Sequence, residues 1–324
     1  MGHSDCSRRE WIRRSAVATG GLVTGSLVGT AGVSASDGHD NPWIVDGTEI
    51  VAHRGGKFEA PENTRFAMRT APGRGADVIE MDLFETADGD IVAIHDETVD
   101  RTTDGVGEVQ EMTVDELQEL DASYWFADGC GTCQDLDEDE YDYRGYATGD
   151  EEIPDEFGDE YGLDHVEPGD FQIPTLGSIL ESVPDERLLL EPKIASVDTF
   201  VEILENHLQD QEIIVASFDG DFVGEFREVA PEYDTGATFW EIAAFIVRSW
   251  LGFPPSETDY ELMAVPLEEY GFELVNERLV EDAHAAGVAV YVWTINDPDD
   301  MEYLIDIGVD GIVTDVNTTL EELL

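Results

Sequence analysis

The sequence predicts an α/β fold, a (β/α)8 barrel in which an acidic insertion follows the third strand. Short apolar runs rich in β-branched residues alternate with helical stretches along the chain, as in a barrel with a parallel sheet. The 324 residues, 42% of them hydrophobic, suffice for one barrel of ~250 residues with additions. Charged side chains also recur directly after the apolar runs, where the strands of a barrel end.

Eight apolar runs are the predicted barrel strands. They span residues 50–52, 78–83, 91–94, 188–190, 213–216, 235–239, 288–293 and 311–314. A ninth run at 263–267 competes with them, and the pattern alone does not decide which of the nine is the extra one.

The predicted insertion covers about residues 127–170. It is dense in Asp, Glu, Gly and Tyr, and it exceeds the ~12 to 15 residues of an already long loop. We interpret it first as an acidic surface flap, with a substrate-restricting lid or a secondary cation site as alternatives. Cys130 and Cys133 lie in it without a second CxxC or a histidine pair, which favours two structural thiols or a tight surface disulfide over a zinc site.

The formal net charge of -59 excludes nucleic acid as a partner, because no basic face could offset phosphate repulsion. In dilute buffer this charge opposes the compact state, whereas at ~1 M salt the Debye length falls to ~3 Å. The composition therefore predicts a protein of very salty surroundings. Lys57 and Lys193 are its only lysines.

Residues 1–35 are predicted to be a twin-arginine export signal. Arg8 and Arg9 begin the motif, a glycine-rich apolar stretch follows at 16–33, and small residues at 33–35 offer a cleavage site. We expect residues 36–324 to form the exported barrel, outside the cell or at its surface. The alternative is an uncleaved anchor, but the stretch is a poor spanning helix, which needs ~20 apolar residues. No stable membrane insertion is expected after cleavage.

Charged residues end four successive predicted strands of the barrel, those at 50–52, 78–83, 91–94 and 188–190. Residues two apart in a strand face the same side, so charged pairs at this spacing point into one cavity. The carboxyl-terminal end of a barrel is where active sites lie. The residues expected to converge there are His53, Arg54, Glu80, Asp82, His95, Glu191 and Lys193.

The types of these residues indicate a chemistry. The three carboxylates are oxygen ligands suited to one hard divalent cation, Mg²⁺ or Ca²⁺. Arg54 and Lys193 would bind an anion such as a phosphoryl group. His53 and His95 would divide the acid and base work between them.

The chain resembles the glycerophosphodiester phosphodiesterase family from about residue 50 to 315, apart from the insertion. The matching motifs are His53-Arg54-Gly55, Pro61-Glu62-Asn63-Thr64, Glu80-Met81-Asp82, His95-Asp96, Arg101-Thr102-Thr103-Asp104-Gly105, Glu191-Pro192-Lys193, Ser217-Phe218, Val292-Trp293-Thr294-Ile295-Asn296 and Gly308 to Asp315. Pro192 departs from the pattern, because proline removes a hydrogen-bond donor from a strand, but it falls at the strand's end, where a bulge or a missing bond is tolerable.

The resemblance implies a role for each matched residue. The general acid/base pair would be His53 and His95, the phosphate contacts Arg54 and Lys193, and the metal ligands Glu80, Asp82 and Glu191. Trp293 would line the glycerol or leaving-group pocket, or would only pack in the barrel. Asn63 and Thr64 would cap the first helix, and Glu62 would touch the metal network or only Arg54.

The expected reaction is therefore hydrolysis of a small glycerophosphodiester to glycerol phosphate and an alcohol. An alternative in the same barrel class is a phospholipase D-like hydrolase of lyso or intact phospholipids. A second alternative is a non-catalytic binding protein at the cell surface. The oligomeric state stays open.

Overall fold

A computed structural model describes residues 41–269 and 271–324, so the predicted export signal at 1–35 lies outside the described residues. Eight parallel strands form its central sheet. These are β1 (Glu49–Ala52), β2 (Val78–Glu85), β6 (Arg187–Ile194), β7 (Ile213–Val215), β8 (Asp234–Thr235), β9 (Leu262–Pro266), β12 (Ala289–Trp293) and β13 (Gly311–Thr314). Outside this sheet, β10 (Glu268–Glu269) pairs antiparallel with β11 (Phe272–Glu273).

The sheet closes into a barrel. Its strand order is β8-β7-β6-β2-β1-β13-β12-β9. Between the two end strands, the Ala237 amide donates to the Leu262 carbonyl at 2.7 Å and the Glu261 amide to the Thr235 carbonyl at 3.0 Å. The predicted (β/α)8 fold class is confirmed.

One predicted barrel strand is placed differently. The run at 91–94 forms β3 (Ile91–Ala93), which pairs antiparallel with β2 as the second arm of a hairpin. Because a turn of only five residues joins the two, β3 cannot cross over to lie parallel, which takes a dozen or more residues. The run at 263–267 supplies the barrel strand instead, and the insertion therefore lies between the second and third barrel strands.

Helices cover the outside of the barrel. They are α1 (Arg65–Thr70), α2 (Val114–Gln118), α3 (Phe157–Glu160), α4 (Leu176–Ser182), α5 (Val197–His207), α6 (Gly220–Val229), α7 (Phe239–Leu251), α8 (Glu277–Ala285), α9 (Pro298–Asp306) and α10 (Asn317–Glu321). The predicted strand at 235–239 is shorter than expected, because Thr238 caps α7 and starts the helix. In the part of the chain that the structure describes, no helix has the length and apolarity to span a membrane.

The barrel interior is filled by one layer of apolar side chains. This layer consists of Trp43, Val51, Val78, Leu189, Ile214, Leu262, Ala289, Tyr291 and Val313. Because side chains in a strand alternate, the residues two positions further along each strand also point inward. The next inward residues on β1, β2 and β6 are polar, and they stand at the C-terminal rim, the end of the barrel where the parallel strands finish.

The opposite end of the barrel is sealed by a polar network around Trp43. The fully buried Trp43 indole donates to Asp234 at 2.8 Å, and the Arg187 guanidinium lies 4.3 Å from its ring centroid. Arg187 also pairs with Glu49, which accepts a hydrogen bond from Tyr291. This end is therefore closed, and substrate can enter only from the C-terminal rim.

The insertion has a core of its own. Its aromatic side chains pack with Phe66 of α1, which is fully buried. The strands β4 (Phe126–Ala127) and β5 (Gly131–Thr132) form a small hairpin, and a disulfide joins Cys130 to Cys133 as one of the two predicted states. The interpretation as an acidic flap is incomplete, since aromatic packing holds the segment against the barrel. The packed aromatic residues include Tyr143, Tyr146, Phe157, Tyr161 and Phe171.

A histidine at the closed end makes stability depend on pH. His284 Nε2 lies 2.8 Å from the buried Asp310 carboxylate, and this hydrogen bond raises the pKa of His284 above 6.5. A raised pKa stabilises the fold below pH 6.5, and the contribution is lost as pH rises through the folded-state pKa. We expect His284→Gln to lower the free energy of unfolding at acidic pH by about 0.5 kcal/mol, because solvent screens the partly exposed pair. Between pH 6 and 8 the free energy of unfolding should then change less with pH than in wild type.

Denaturant unfolding at several pH values measures this effect. The control is His207→Gln, which removes a histidine paired with Glu181 on the surface. An unchanged pH slope in His284→Gln would contradict the assignment.

Candidate active site

The site begins with a strained turn after β1. Arg54 has φ 55° and Asn63 has φ 57°, a left-handed region that costs non-glycine residues ~1–3 kcal/mol. The turn directs the Arg54 amide at Glu80, to which it donates at 2.8 Å. Gly55 allows the turn, because its φ is +82° and a Cβ there would lie 2.6 Å from the Cβ of Ala67. Such strain marks functional sites.

Three carboxylates converge at the C-terminal rim. Glu80, Asp82 and Glu191 each offer an oxygen within 4.8 Å of the others, and Asp82 and Glu191 are register partners on β2 and β6. Burial raises the pKa of Glu80 well above its ordinary value, and the charges of Asp82 and Glu191 raise it further. Among the described residues, Glu80 Oε1 is buried and has no hydrogen-bond partner. An unpaired oxygen in a cluster of hard ligands fits a divalent cation.

The charges around this cluster also call for a cation. The surrounding network holds more carboxylates than basic side chains, so without a metal ion it would repel a phosphodiester anion. The carboxylates are Glu62, Glu80, Asp82, Asp96, Glu191 and Asp315, and the basic side chains are Arg54, Lys57, Arg101 and Lys193.

The predicted anion-binding residues lie beside the carboxylates. Arg54 Nε is 3.0 Å from Asp82, and its NH1 donates to Glu62 at 2.9 Å. Lys193 Nζ is 3.1 Å from the other oxygen of Asp82 and also contacts Glu191. Both cations are thus held by carboxylates on the rim; Arg54 is buried, whereas Lys193 stays partly open to solvent.

His53 is oriented by an aspartate that the sequence reasoning did not single out. Its Nδ1 lies 2.5 Å from Asp315, whose other oxygen is 3.2 Å from Lys57 and accepts from Asn296 at 2.7 Å. A carboxylate only accepts, so Nδ1 carries the hydrogen and Nε2, 4.0 Å from Glu80, faces the cluster. Burial lowers the pKa of His53, which favours the neutral ring.

His95 is oriented in the same way. Its Nδ1 lies 2.6 Å from Asp96, which also accepts from Arg101 Nε at 2.6 Å. His95 comes from the loop after β3, so it reaches the site from the hairpin and not from a barrel strand. The expectation that four successive barrel strands carry the site is wrong in this respect, although the predicted convergence of the side chains is present.

Glu62 connects the two sides of the site. It accepts from Arg54, from both terminal nitrogens of Arg101 at 2.7 and 2.8 Å, and from Thr132 of the insertion at 3.2 Å. Burial would raise the pKa of Glu62, but the hydrogen bonds and charges of Arg101 and Arg54 outweigh it and hold the pKa far below its usual range. Of the two interpretations of Glu62, contact with Arg54 is confirmed.

Two smaller expectations have mixed outcomes. Thr64 caps α1 by accepting from the Ala67 amide, as predicted, but Asn63 donates to Asp82 at 3.1 Å and so supports the carboxylate cluster. At Pro192, where an irregularity was considered tolerable, the register between β2 and β6 shifts, and Ser217 donates to the Pro192 carbonyl at 2.6 Å. A polar side chain thus compensates for the shift.

Trp293 and Phe218 form an aromatic wall beside Lys193. Their ring centroids are 5.9 Å apart at 87°, and Lys193 Nζ is 5.8 Å from the Phe218 centroid. Phe218 is 62% exposed, which is unusual for a large apolar side chain next to a charged cluster. Trp293 is partly buried and also packs against the apolar side chains inside the barrel, so its role in lining a pocket stays a prediction. Phe218 stands beside it.

Glu62→Gln is expected to lower kcat/KM by ~10- to 100-fold, because it releases Arg54 and Arg101 from a shared anchor and small misplacements carry such costs. Steady-state kinetics separates the effects: a positioning role changes KM and kcat while the melting temperature shifts little. The control is Glu49→Gln, which breaks a carboxylate–arginine pair at the closed end of the barrel. Equal kinetic losses in both variants would contradict the positioning role.

Fold and site together define a barrel hydrolase built to bind an anionic ester beside an acidic cation site. The model of the glycerophosphoryl diester phosphodiesterase family matches residues 53–319. The chain belongs to this family. The predictions of fold class, enzyme class and glycerophosphodiester hydrolysis are confirmed.

Individual relatives agree with the family match. A glycerophosphodiester phosphodiesterase of Caldanaerobacter subterraneus is 29% identical over 285 residues, 86% of this chain and 98% of that protein. Glycerophosphodiester phosphodiesterase 1 of Bos taurus is 49% identical over 75 residues, 23% of each chain.

Solved structures support the fold. A phosphodiesterase of Oleispira antarctica in complex with the product sn-glycerol-3-phosphate has a TM-score of 0.61 at 24% identity, covering 85% of this chain and 96% of that one. A glycerophosphoryl diester phosphodiesterase domain of Mycobacterium tuberculosis has a TM-score of 0.65 at 20% identity, covering 86% and 99%.

Proposed function

We propose that the chain cleaves glycerophosphodiesters to glycerol phosphate and an alcohol with His53 and His95 as the proton-transfer pair. The carrying observation is that an aspartate holds Nδ1 of each ring, Asp315 for His53 and Asp96 for His95. Each Nε2 is thereby the nitrogen left for substrate. One histidine accepts the proton of the attacking hydroxyl or water, and the other protonates the leaving oxygen.

Glu80, Asp82 and Glu191 would hold one divalent cation, Mg²⁺ or Ca²⁺. When bound, the ion supplies positive charge that polarises the phosphoryl group. Arg54 and Lys193 bind the phosphate oxygens and offset the charge that develops there. Lys193 now spans Asp82 and Glu191, so a bound cation would share these carboxylates with it.

The aromatic wall of Phe218 and Trp293 would contact the glycerol or the leaving alcohol. Its apolar surface favours a leaving group with some carbon surface over a purely ionic one. The product named for the Oleispira antarctica neighbour, sn-glycerol-3-phosphate, supports glycerol phosphate as the product here.

The test measures choline and the phosphorylated product released in molar salt. This product is glycerol phosphate from glycerophosphocholine, lysophosphatidate from lysophosphatidylcholine and phosphatidate from phosphatidylcholine. We expect the highest kcat/KM with the soluble diester. Turnover of only the two acylated substrates would favour the phospholipase D-like alternative. Release of choline phosphate instead of glycerol phosphate would contradict the proposed bond cleavage.

We also propose that the protein is exported by the twin-arginine route and works in brine. The Arg8-Arg9 motif and the net charge of -59 support this proposal. So does the Cys130–Cys133 disulfide, since disulfides persist in oxidising compartments. Replacing Arg8 and Arg9 by lysine should abolish export, and the melting temperature should rise as salt increases to ~1 M, where charge repulsion is screened. Export of the lysine variant, or a melting temperature independent of salt, would contradict the respective part.

A further inference from the structure

The outer face of α7 is apolar and exposed to solvent. In the described part of the chain, half of the exposed large apolar side chains fall within residues 239–253. They are Phe239, Trp240, Val247, Trp250, Leu251 and Phe253, each at least 50% exposed. The opposite face of the helix packs against the barrel, where Phe245 and Ile246 are buried.

The helix α7 itself is nearly free of acidic residues, and the Asp282 carboxylate of α8 that reaches it accepts a hydrogen bond from Ser249 at 2.6 Å. The chain carries 75 Asp and Glu, yet α7 contains only Glu241, which caps the helix and pairs with Arg227 at 2.8 Å. The one basic residue of α7 is Arg248. In a protein of net charge -59, such a surface is the place where a second highly acidic molecule meets least repulsion.

The spacing of the exposed residues is that of a helix-pairing seam. Trp240, Ala244, Val247 and Leu251 are all exposed and follow one another at intervals of four, three and four residues. This interval pattern places side chains in one stripe and is typical of two helices packed side by side. The small Ala244 near the middle of the stripe permits close approach of a second helix.

The size of the patch matches an interface. With ~150–250 Å² for an aromatic side chain, the six residues expose on the order of 700 Å². The largest apolar patch on an ordinary monomer is ~300–600 Å². A standard interface buries ~800 Å² on each partner. The six residues, five on α7 and Phe253 just after it, together expose an area close to one side of a stable dimer, and Trp240, Val247 and Leu251 among them belong to the stripe.

We propose that α7 packs against α7 of a second copy of this chain, antiparallel across a two-fold axis. A two-fold interface uses the same patch on both copies, so one apolar stripe suffices. Antiparallel pairing brings Arg248 of each copy toward the Glu241 end of the other helix, which gives opposite charges on the flanks. A lipid surface fits less well, because interfacial helices carry several lysines and arginines on their polar face and α7 has one.

The decisive experiment is sedimentation equilibrium of the purified chain in molar salt. Wild type should be a dimer, and Val247→Glu/Leu251→Glu should raise the dimer Kd at least ~100-fold, because it places two desolvated charges in the seam on each copy. The matched control is Val106→Glu, at a position 80% exposed and outside α7, which should stay dimeric. Circular dichroism and turnover of soluble substrate must be retained in both variants.

A second measurement does not depend on destabilising the seam. Ala244→Cys should form a disulfide-linked dimer under oxidising conditions, whereas wild type and a Val106→Cys variant should not. A monomeric wild type at ~100 µM, or a double variant that remains dimeric, would overturn the proposal. Monomers that co-sediment with phosphatidylcholine vesicles through α7 would overturn it as well, in favour of a lipid surface.

Discussion

Replacing His53 or His95 by glutamine is expected to lower kcat by ~10²–10⁴-fold, the usual contribution of a positioned acid or base. Glutamine keeps a polar side chain of similar reach but cannot exchange a proton near neutral pH. The residual activity should not fall to the uncatalysed rate, because Arg54, Lys193 and the carboxylate cluster still bind and polarise substrate. Steady-state kinetics with glycerophosphocholine in molar salt measures the loss.

The control for these variants is His207→Gln, a surface histidine that pairs with Glu181. Its kcat should equal that of wild type. If the two residues act in one reaction, the double variant His53→Gln/His95→Gln should lose little more than the worse single variant. A single variant that keeps more than about a tenth of wild-type kcat would exclude that histidine from the role of acid or base.

The aspartates behind the histidines give a sharper test of the same idea. Asp315→Asn preserves size and a hydrogen-bonding group, but its amide can donate to Nδ1 and so place the hydrogen on Nε2. Comparable substitutions in other His–Asp pairs cost several orders of magnitude through the wrong tautomer. We expect kcat to fall ~10²-fold or more with little change in KM, which separates the loss of a tautomer from a loss of binding.

The strand-borne part of the site could be predicted because it follows from alternation. Val51 and Leu189 fill the barrel interior, so His53 and Glu191, two positions further, must point inward at the rim. The pattern contains this information without any knowledge of tertiary contacts. Lys193 follows from the same rule.

The remaining parts of the site depend on tertiary contacts. Asp315, Glu62 and Arg101 act by touching residues that are 8 to 262 positions away, and no local period encodes such pairs. The hydrogen bond from the Asn296 side chain to Asp315, which joins the ends of two strands, could not be predicted from the sequence either. Each of these residues lies in a motif shared with the family, and contact of Glu62 with Arg54 was one of its two expected roles. The motifs did not show that Asp96 and Asp315 orient the histidines.

The barrel topology shows a similar division. The apolar runs were recognisable, but a run of three or four residues has no property that distinguishes a parallel barrel strand from the arm of a hairpin. The deciding feature for Ile91–Ala93 is the short turn of residues 86–90, which forces antiparallel pairing. Likewise the aromatic residues of the insertion were visible, while their packing onto Phe66 was not, because that contact joins segments far apart in the chain.

Removal of divalent cations is expected to abolish turnover. Addition of Mg²⁺ or Ca²⁺ should then restore it. Without the ion, no divalent charge is present at Glu80, Asp82 and Glu191 to attract the phosphodiester, and burial raises the pKa of Glu80, which favours its protonated form. Activity alone would not show where the ion binds. When the ion is added back to the metal-free protein at 100 times its Kd, the free energy of unfolding should therefore also rise by ~2.7 kcal/mol. This rise is measured as an increase in melting temperature at constant molar salt.

The variant Glu80→Gln distinguishes cation binding at this site from general screening of charge by salt. It removes the charge whose Oε1 has no partner in the fold, so its melting temperature should no longer respond to millimolar Mg²⁺ or Ca²⁺. Glu49→Gln, the carboxylate paired with Arg187 at the closed end, should respond as wild type does. Full activity after chelation, or an equal thermal response in all three proteins, would contradict the cation site, because a screening effect does not depend on which carboxylate is removed.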